Sequence, residues 1–147
     1  MAGYGLLILV AVAGGIAVVF QSQFVGLLDQ GLGSIESVFV TYVGGAILIG
    51  LIMLALRGGN LGAWQSVPWY ALTAGVMGLV IIGTLSYSVP RLGLVAAFTI
   101  IVATQFIGGA LIDHFGLFGA AVRPLDWSRV MGILVLLTGV WLIIRQT

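Results

Sequence analysis

Residues 5–20 of the chain read GLLILVAVAGGIAVVF, without one charged side chain. Such a stretch belongs either in the dry centre of a protein or in the hydrocarbon of a bilayer, and the rest of the chain decides between them. Only 6% of the 147 residues are charged and 61% are hydrophobic, with a mean hydropathy of +1.27. Soluble domains carry roughly 25% charged residues, so this sequence cannot clothe a soluble surface. The chain is an integral membrane protein. Its first apolar run is followed by no soluble mature part and preceded by no basic leader, so it reads as a true span rather than a signal peptide.

A spanning helix needs about 20 consecutive apolar residues. Five segments reach that length, at about 4–28, 35–56, 67–89, 92–112 and 127–144, and predict one all-helical domain over residues 1–147. Spans this long exclude a β-barrel, whose strands alternate over roughly ten residues. The breaks between them have physical causes. Asp29-Gln30-Gly31 and Gly33-Ser34 are expected to end the first helix and cap the second. Arg57-Gly58-Gly59-Asn60 closes the second with a cation at the negative end of its dipole. Pro68 suits the first turn of the third, Pro90-Arg91 is expected to force the turn into the fourth, and Pro124 with Asp126 prepares the fifth.

Five spans put the termini on opposite sides of the membrane. Arg57, Arg123 and Arg129 then share one face, while Arg91 and Arg145 lie on the other. Arginine and lysine bias sets orientation, and here it is nearly absent, so insertion in both orientations is expected. Two oppositely inserted copies could pair about a twofold axis in the membrane plane, the arrangement that inverted-repeat transporters reach by fusion. Gly132 and Gly139, seven residues apart in GILVLLTGV, form one small-residue stripe on the fifth helix where a partner backbone could approach.

Three stretches carry a family likeness: GIAVVFQ with Ser22 after it, AAFTIIVATQFIGGALIDHFGLFG, and RVMGILVLLTGVWLI. Together they resemble the YdcZ-like half-size branch of the drug/metabolite transporter superfamily. The resemblance implies an all-α, multi-pass protein of the bacterial inner membrane. It further implies five transmembrane helices that form one half of a ten-helix inverted-repeat transporter, completed by an antiparallel homodimer or a sibling subunit. Two positions depart from the pattern. Ser22 stands where members often have Asn, and Glu36 stands where a small or apolar residue is expected.

The polar residues inside the spans are the candidates for function, because an amide in hydrocarbon without a partner costs on the order of 4–8 kcal/mol. Gln21 is expected about 10 Å from one membrane face, with Tyr42 level with it, and Gln105 at a similar depth from the other face. These depths coincide across an antiparallel pair. The expected substrate site is therefore a shared, neutral-walled cavity of Gln21, Ser22, Tyr42 and Gln105, with Phe98 in its apolar wall and Leu136 outside it, suited to amphiphilic or zwitterionic solutes. The alternative is that the amides are interhelical glue, typically worth about 0.6 kcal/mol each.

Glu36 reads as a helix-start acid favoured by the dipole, or as a protonatable coupling site just inside the membrane. Asp113 and His114 read as capping or gating groups at the end of the fourth helix, with Asp113 pairing an arginine and His114 meeting the last carbonyls. One His beside one Asp is too few ligands for a metal, and the absence of cysteine removes thiolate sites. No Ser/His/Asp spacing and no phosphate-binding loop occurs, which argues against an enzyme, a cofactor or ATP drive. No basic arm points to nucleic acid.

The reading that follows is a secondary transporter of a small organic solute working by alternating access. Its alternatives are a non-transporting scaffold or sensor, or one half of a heterodimeric transporter. The near-even arginine count predicts that C-terminal reporter fusions show both orientations, and that two lysines added after Thr147 drive the population to one. A single clean orientation of the unmodified chain would favour a sibling subunit instead.

Overall fold

The computed structural model describes residues 2–56 and 59–145; Arg57, expected to close the second helix, lies outside the described residues. Five α-helices carry the chain: α1 Ala2–Leu32, α2 Ser34–Ala55, α3 Ala74–Leu92, α4 Leu94–Phe115 and α5 Trp127–Ile144. Five helical segments, Tyr4–Leu32, Ser34–Ala55, Trp69–Leu92, Leu94–Phe115 and Trp127–Ile144, are long and apolar enough to cross a membrane. Packing divides the chain into two compact units, Met1–Arg91 and Leu92–Thr147.

The helix ends depart from the sequence expectation for identifiable reasons. Asp29-Gln30-Gly31 does not stop α1, which continues to Leu32. The Asp29 carboxylate accepts the Ser34 hydroxyl and an Arg91 Nη1–H at 3.0 Å, so it is satisfied inside the fold and has no need of water. The break is Gly33 alone, at φ 104° and ψ 162°, a backbone region essentially confined to glycine. Gly33 is the N-cap of α2, and Ser34 spends its hydroxyl on Asp29 rather than on the cap.

Pro90 is likewise inside α3 rather than at a turn. Near a helix end its missing N–H frees only the Ser86 carbonyl, one turn back, and the next carbonyl, Tyr87 O, accepts Arg91 Nη1–H at 2.6 Å. Here too the break is a single glycine, Gly93, at φ 81°. The third span opens later than expected: Trp69–Thr73 is a 3₁₀ turn with Pro68 as its N-cap, and α-helix begins at Ala74. Asp126 caps α5 as expected, its Oδ1 accepting Arg129 N–H at 2.7 Å.

Within Met1–Arg91 the three helices meet around small side chains. Ser22, Val25, Ser37 and Ser86 are fully buried. Ser37 Oγ on α2 donates to Val25 O on α1 at 2.9 Å, and Ser86 Oγ on α3 reaches the same carbonyl at 3.5 Å. Gly26 lets α3 close in, since a Cβ there would stand 3.1 Å from Val89 Cγ1. Among the described residues no buried side-chain N or O atom lacks a hydrogen-bond partner. That is the condition for polar groups in hydrocarbon.

Within Leu92–Thr147, α4 packs on α5, and the connection between them is tied back at both ends. Gly116 ends α4 in the left-handed region at φ 61°. Arg123 N–H then donates to Asp113 O at 2.8 Å, and Leu125 N–H donates to His114 Nδ1 at 3.0 Å. His114 therefore anchors the incoming loop, where the sequence suggested that it would meet the last helix carbonyls.

Gly93 offers a clean test, because a Cβ there would meet nothing within 4 Å and the cost of a side chain is backbone strain alone. Gly93→Ala is expected to lower unfolding stability in mixed micelles by about 1–3 kcal/mol. Gly75→Ala, a helical position equally free of neighbours, should be neutral or gain up to about 1 kcal/mol.

Candidate functional site

Two cavities contain the polar residues singled out by the sequence. The first, about 530 Å³, lies among α1, α2 and α3. Gln21 enters from α1, Thr41 and Tyr42 from α2, and Gly78 from α3, with Ala46, Ile49 and Ile81 among the apolar walls. Because α1 runs on to Leu32, Gln21 stands eleven residues from its end, about 16 Å along the axis and deeper than the sequence suggested. Tyr42 is held by a missing side chain: a Cβ at Gly78 would overlap its hydroxyl. Thr41 Oγ1 donates to Ser37 O at 2.8 Å.

The second cavity, about 740 Å³, is open-sided and lies between α4 and α5. Gln105, Phe106, Gly109, Ala110 and Asp113 form its α4 wall, a stripe recurring at helical spacing; Arg129, Gly132, Ile133 and Leu136 form its α5 wall. Gln105 stands ten residues before Phe115, about 15 Å along α4, close to the Gln21 depth in its own helix. A Cβ on Gly109 or Gly132 would meet nothing within 4 Å, so these two glycines leave the space that the cavity occupies.

The expected site residues are thus distributed. Gln21 and Tyr42 share the first cavity and Gln105 lines the second. Ser22 lines neither: it is fully buried and its hydroxyl donates to Val18 O at 2.7 Å. Phe98 is half-buried and lines neither, the aromatic wall beside Gln105 being Phe106. Leu136, expected to be dry, faces the same space as Gln105. The neutral wall is expected of a cavity shared by two copies; the second cavity, within one copy, carries Asp113 and Arg129 as well.

Glu36 is exposed in the first turn of α2, its Oε2 lying 2.8 Å from where a Cβ on Gly33 would stand. Asp113 is half-buried and forms no ion pair among the described residues, contrary to the expected pairing with an arginine. Gly132 faces the second cavity, and a Cβ on Gly139 would meet nothing within 4 Å.

Sequence reasoning missed Thr41, Gly78 and Arg129. The stripe through Tyr42 at helical spacing (Thr41, Gly45, Ala46, Ile49) was a readable signal for the first. It also missed the ion pair of Arg91 with Asp29, 3.0 Å long with the Asp29 side chain 6% exposed. Arg91 additionally stacks its guanidinium 3.8 Å from the Tyr87 ring centroid. These groups sit at the ends of α1 and α3, sixty-two residues apart in sequence, and no local pattern announces their meeting.

Five helices long and apolar enough to cross a membrane, with two cavities lined by polar and apolar residues, fit a multi-pass membrane protein. The family described as "Putative inner membrane exporter, YdcZ" matches residues 6–142, and the chain belongs to it. The chain is 25% identical to "Inner membrane protein YdcZ" of Escherichia coli (strain K12) over 139 residues, covering 92% of this chain and 93% of that protein. No solved structure matches. The chain is therefore a multi-pass inner-membrane protein of the family so described.

Accessibility separates the cavity residues from the packing residues. In this cysteine-free chain, Gln21→Cys and Gln105→Cys are expected to react with a water-soluble maleimide, and Ser22→Cys is expected to stay unreactive. Equal reactivity at all three positions would contradict the burial of Ser22. Unreactive positions 21 and 105 would leave the amides as interhelical glue.

Proposed function

We propose that the chain is a secondary transporter that moves a small organic solute out across the inner membrane by alternating access. The observation that supports this most directly is the cavity lined by Gln21 and Tyr42, which puts the Gln21 amide about 16 Å along a spanning helix while neither side chain bonds a backbone carbonyl among the described residues. Glue residues would resemble Ser22, Ser37 and Ser86, which are buried and bonded to backbone carbonyls. Membership of a family described as "Putative inner membrane exporter" supports the same reading, the outward direction included.

The working unit is an antiparallel homodimer, a ten-helix inverted-repeat assembly in which the five helices of each copy act together as one domain. The near-even arginine distribution supports dual insertion. The similar depths of Gln21 and Gln105 within their own helices support their facing one pathway across two copies. Gly139 leaves an open face of α5 on which a partner helix could rest, while Gly132, seven residues earlier on that stripe, lines the second cavity. Asp113 and His114 stand at the end of α4, where the first bears on solute entry and the second holds the loop. Glu36 acts as a helix-start acid rather than the coupling site, since it is exposed in the first turn of α2.

Proteoliposomes carrying the purified protein, assayed with a panel of amines, amino acids and organic anions under an imposed pH gradient, test the reading. Transport of at least one class is expected. Gln21→Leu and Tyr42→Phe should lower it by about tenfold, the worth of one or two hydrogen bonds. Glu36→Gln should preserve it, and Gly139→Leu should abolish it together with the dimer. An inert protein with no ligand-induced stabilisation across the panel would favour the scaffold reading.

A further inference from the structure

We infer that the α4–α5 cavity is a head-group site selective for zwitterionic amphiphiles, with Asp113 taking the cationic group and Arg129 the anionic group of one ligand. Both charged side chains line the same cavity, and among the described residues neither forms an ion pair. An acid and a guanidinium that share a space without pairing present opposite charges to whatever enters between them. A ligand with one positive and one negative group satisfies both and leaves no uncompensated charge, whereas an ion of single sign satisfies one and is repelled by the other.

The site is held in place before any ligand arrives. The Asp113 carbonyl accepts Arg123 N–H at 2.8 Å, and the Arg129 guanidinium reaches Arg123 O at 3.3 Å through Nη1. Asp126 holds the first turn beneath Arg129 by accepting its N–H at 2.7 Å, and His114 Nδ1 accepts Leu125 N–H at 3.0 Å. One Arg129 nitrogen is thus engaged and the rest of its fork remains available to a carboxylate or phosphate. Preorganisation of this kind removes part of the ordering cost of binding.

The remaining walls describe the rest of the ligand. From the charged end the cavity runs past Gly109 and Gly132 to Gln105 and Leu136, about 10–12 Å at the helical rise. Apart from Gln105 this length is apolar, so the body beyond the head group is a hydrocarbon chain or an aromatic group. A volume of about 740 Å³ accepts a molecule of that kind with room to spare. This deepens the transport reading by naming a solute class, but the binding step stands or falls separately.

The test uses full-length protein in nanodiscs and four probes with one alkyl body: α-aminodecanoic acid, decanoate, decylamine and decanol. Empty nanodiscs correct for partition into lipid. The zwitterion is expected to bind about tenfold or more tighter than the other three, as charge-assisted hydrogen bonds in a partly dry site allow. Asp113→Asn should erase its advantage over decanoate, Arg129→Gln its advantage over decylamine, and Gly132→Leu should weaken all four by filling the cavity. Circular dichroism and dimer content identify any variant that fails to fold, and Gly109→Leu then serves as the second cavity-filling variant.

Equal binding of the four probes, unchanged by Asp113→Asn and Arg129→Gln, would overturn the inference and leave an apolar groove for lipid tails. Selective binding without transport in proteoliposomes would overturn the transport reading alone. Transport of other solutes without head-group selectivity would overturn this inference alone.

Discussion

The carbonyl of Val25 is the point on which the arrangement of α1, α2 and α3 depends. It receives the hydroxyl of Ser37 at 2.9 Å and that of Ser86 at 3.5 Å, so three helices converge on one acceptor. In water such bonds would add little, because each hydroxyl could bond solvent instead. In hydrocarbon such interhelical bonds are worth about 0.6 kcal/mol each, and two on one acceptor favour one register of the three helices. Small side chains make the convergence feasible. Ser22 bonds back to its own helix, and Gly26 admits Val89 at a distance that a larger residue would forbid. On α1, Ser22 and Val25 are fully buried while Gln21 beside them lines the first cavity.

Charge is managed in the same unit by pairing rather than by exposure. The Asp29 carboxylate, with its side chain 6% exposed, accepts from both Ser34 and Arg91, while Arg91 rests on Tyr87 and keeps 48% of its side chain open. An arginine can do this because its stem packs on apolar surface while its planar head makes several contacts at once. The α4–α5 unit does the opposite. There Asp113 and Arg129 remain unpaired among the described residues and face a cavity. An ion pair satisfied within the fold reads as structure; opposite charges left apart in a cavity read as recognition.

Much of the fold was legible because hydrophobic length is a non-local property that survives ignorance of contacts. The five spans and the Asp126 cap were readable, and the family likeness lay in the segments around Gln21, Gln105 and Gly132. The helix ends were not. Asp29 and Pro90 resemble stop signals, but Asp29 is satisfied by residues distant in sequence or beyond the break, and Arg91 reinforces the turn that Pro90 weakens. Local chemistry proposes an end, and tertiary partners remove the need for it. The site was half legible for a related reason. Helical periodicity relates Tyr42 to Gly45 and Ile49, yet it cannot say that Ser22, next to Gln21, turns wholly into the packing, or that Arg129 shares a space with Gln105.

Glycine shows why such a site resists reading from composition alone. The sequence has 23 glycines, and three that line cavities do different work. At Gly78 the missing side chain is replaced by the Tyr42 hydroxyl from a neighbouring helix, so the glycine fixes a polar group in place. At Gly109 and Gly132 nothing takes the vacated space, and both positions line the opening between α4 and α5. A small residue on a membrane helix is commonly assigned to close helix packing. Close packing requires something to approach, and where nothing approaches within one copy the same residue creates volume. Whether that volume receives a solute or a second copy is then decided by what borders it. The border of Gly132 is Asp113, Arg129 and Gln105, groups that a packed helix would have to leave unsatisfied and that a polar-headed solute can satisfy.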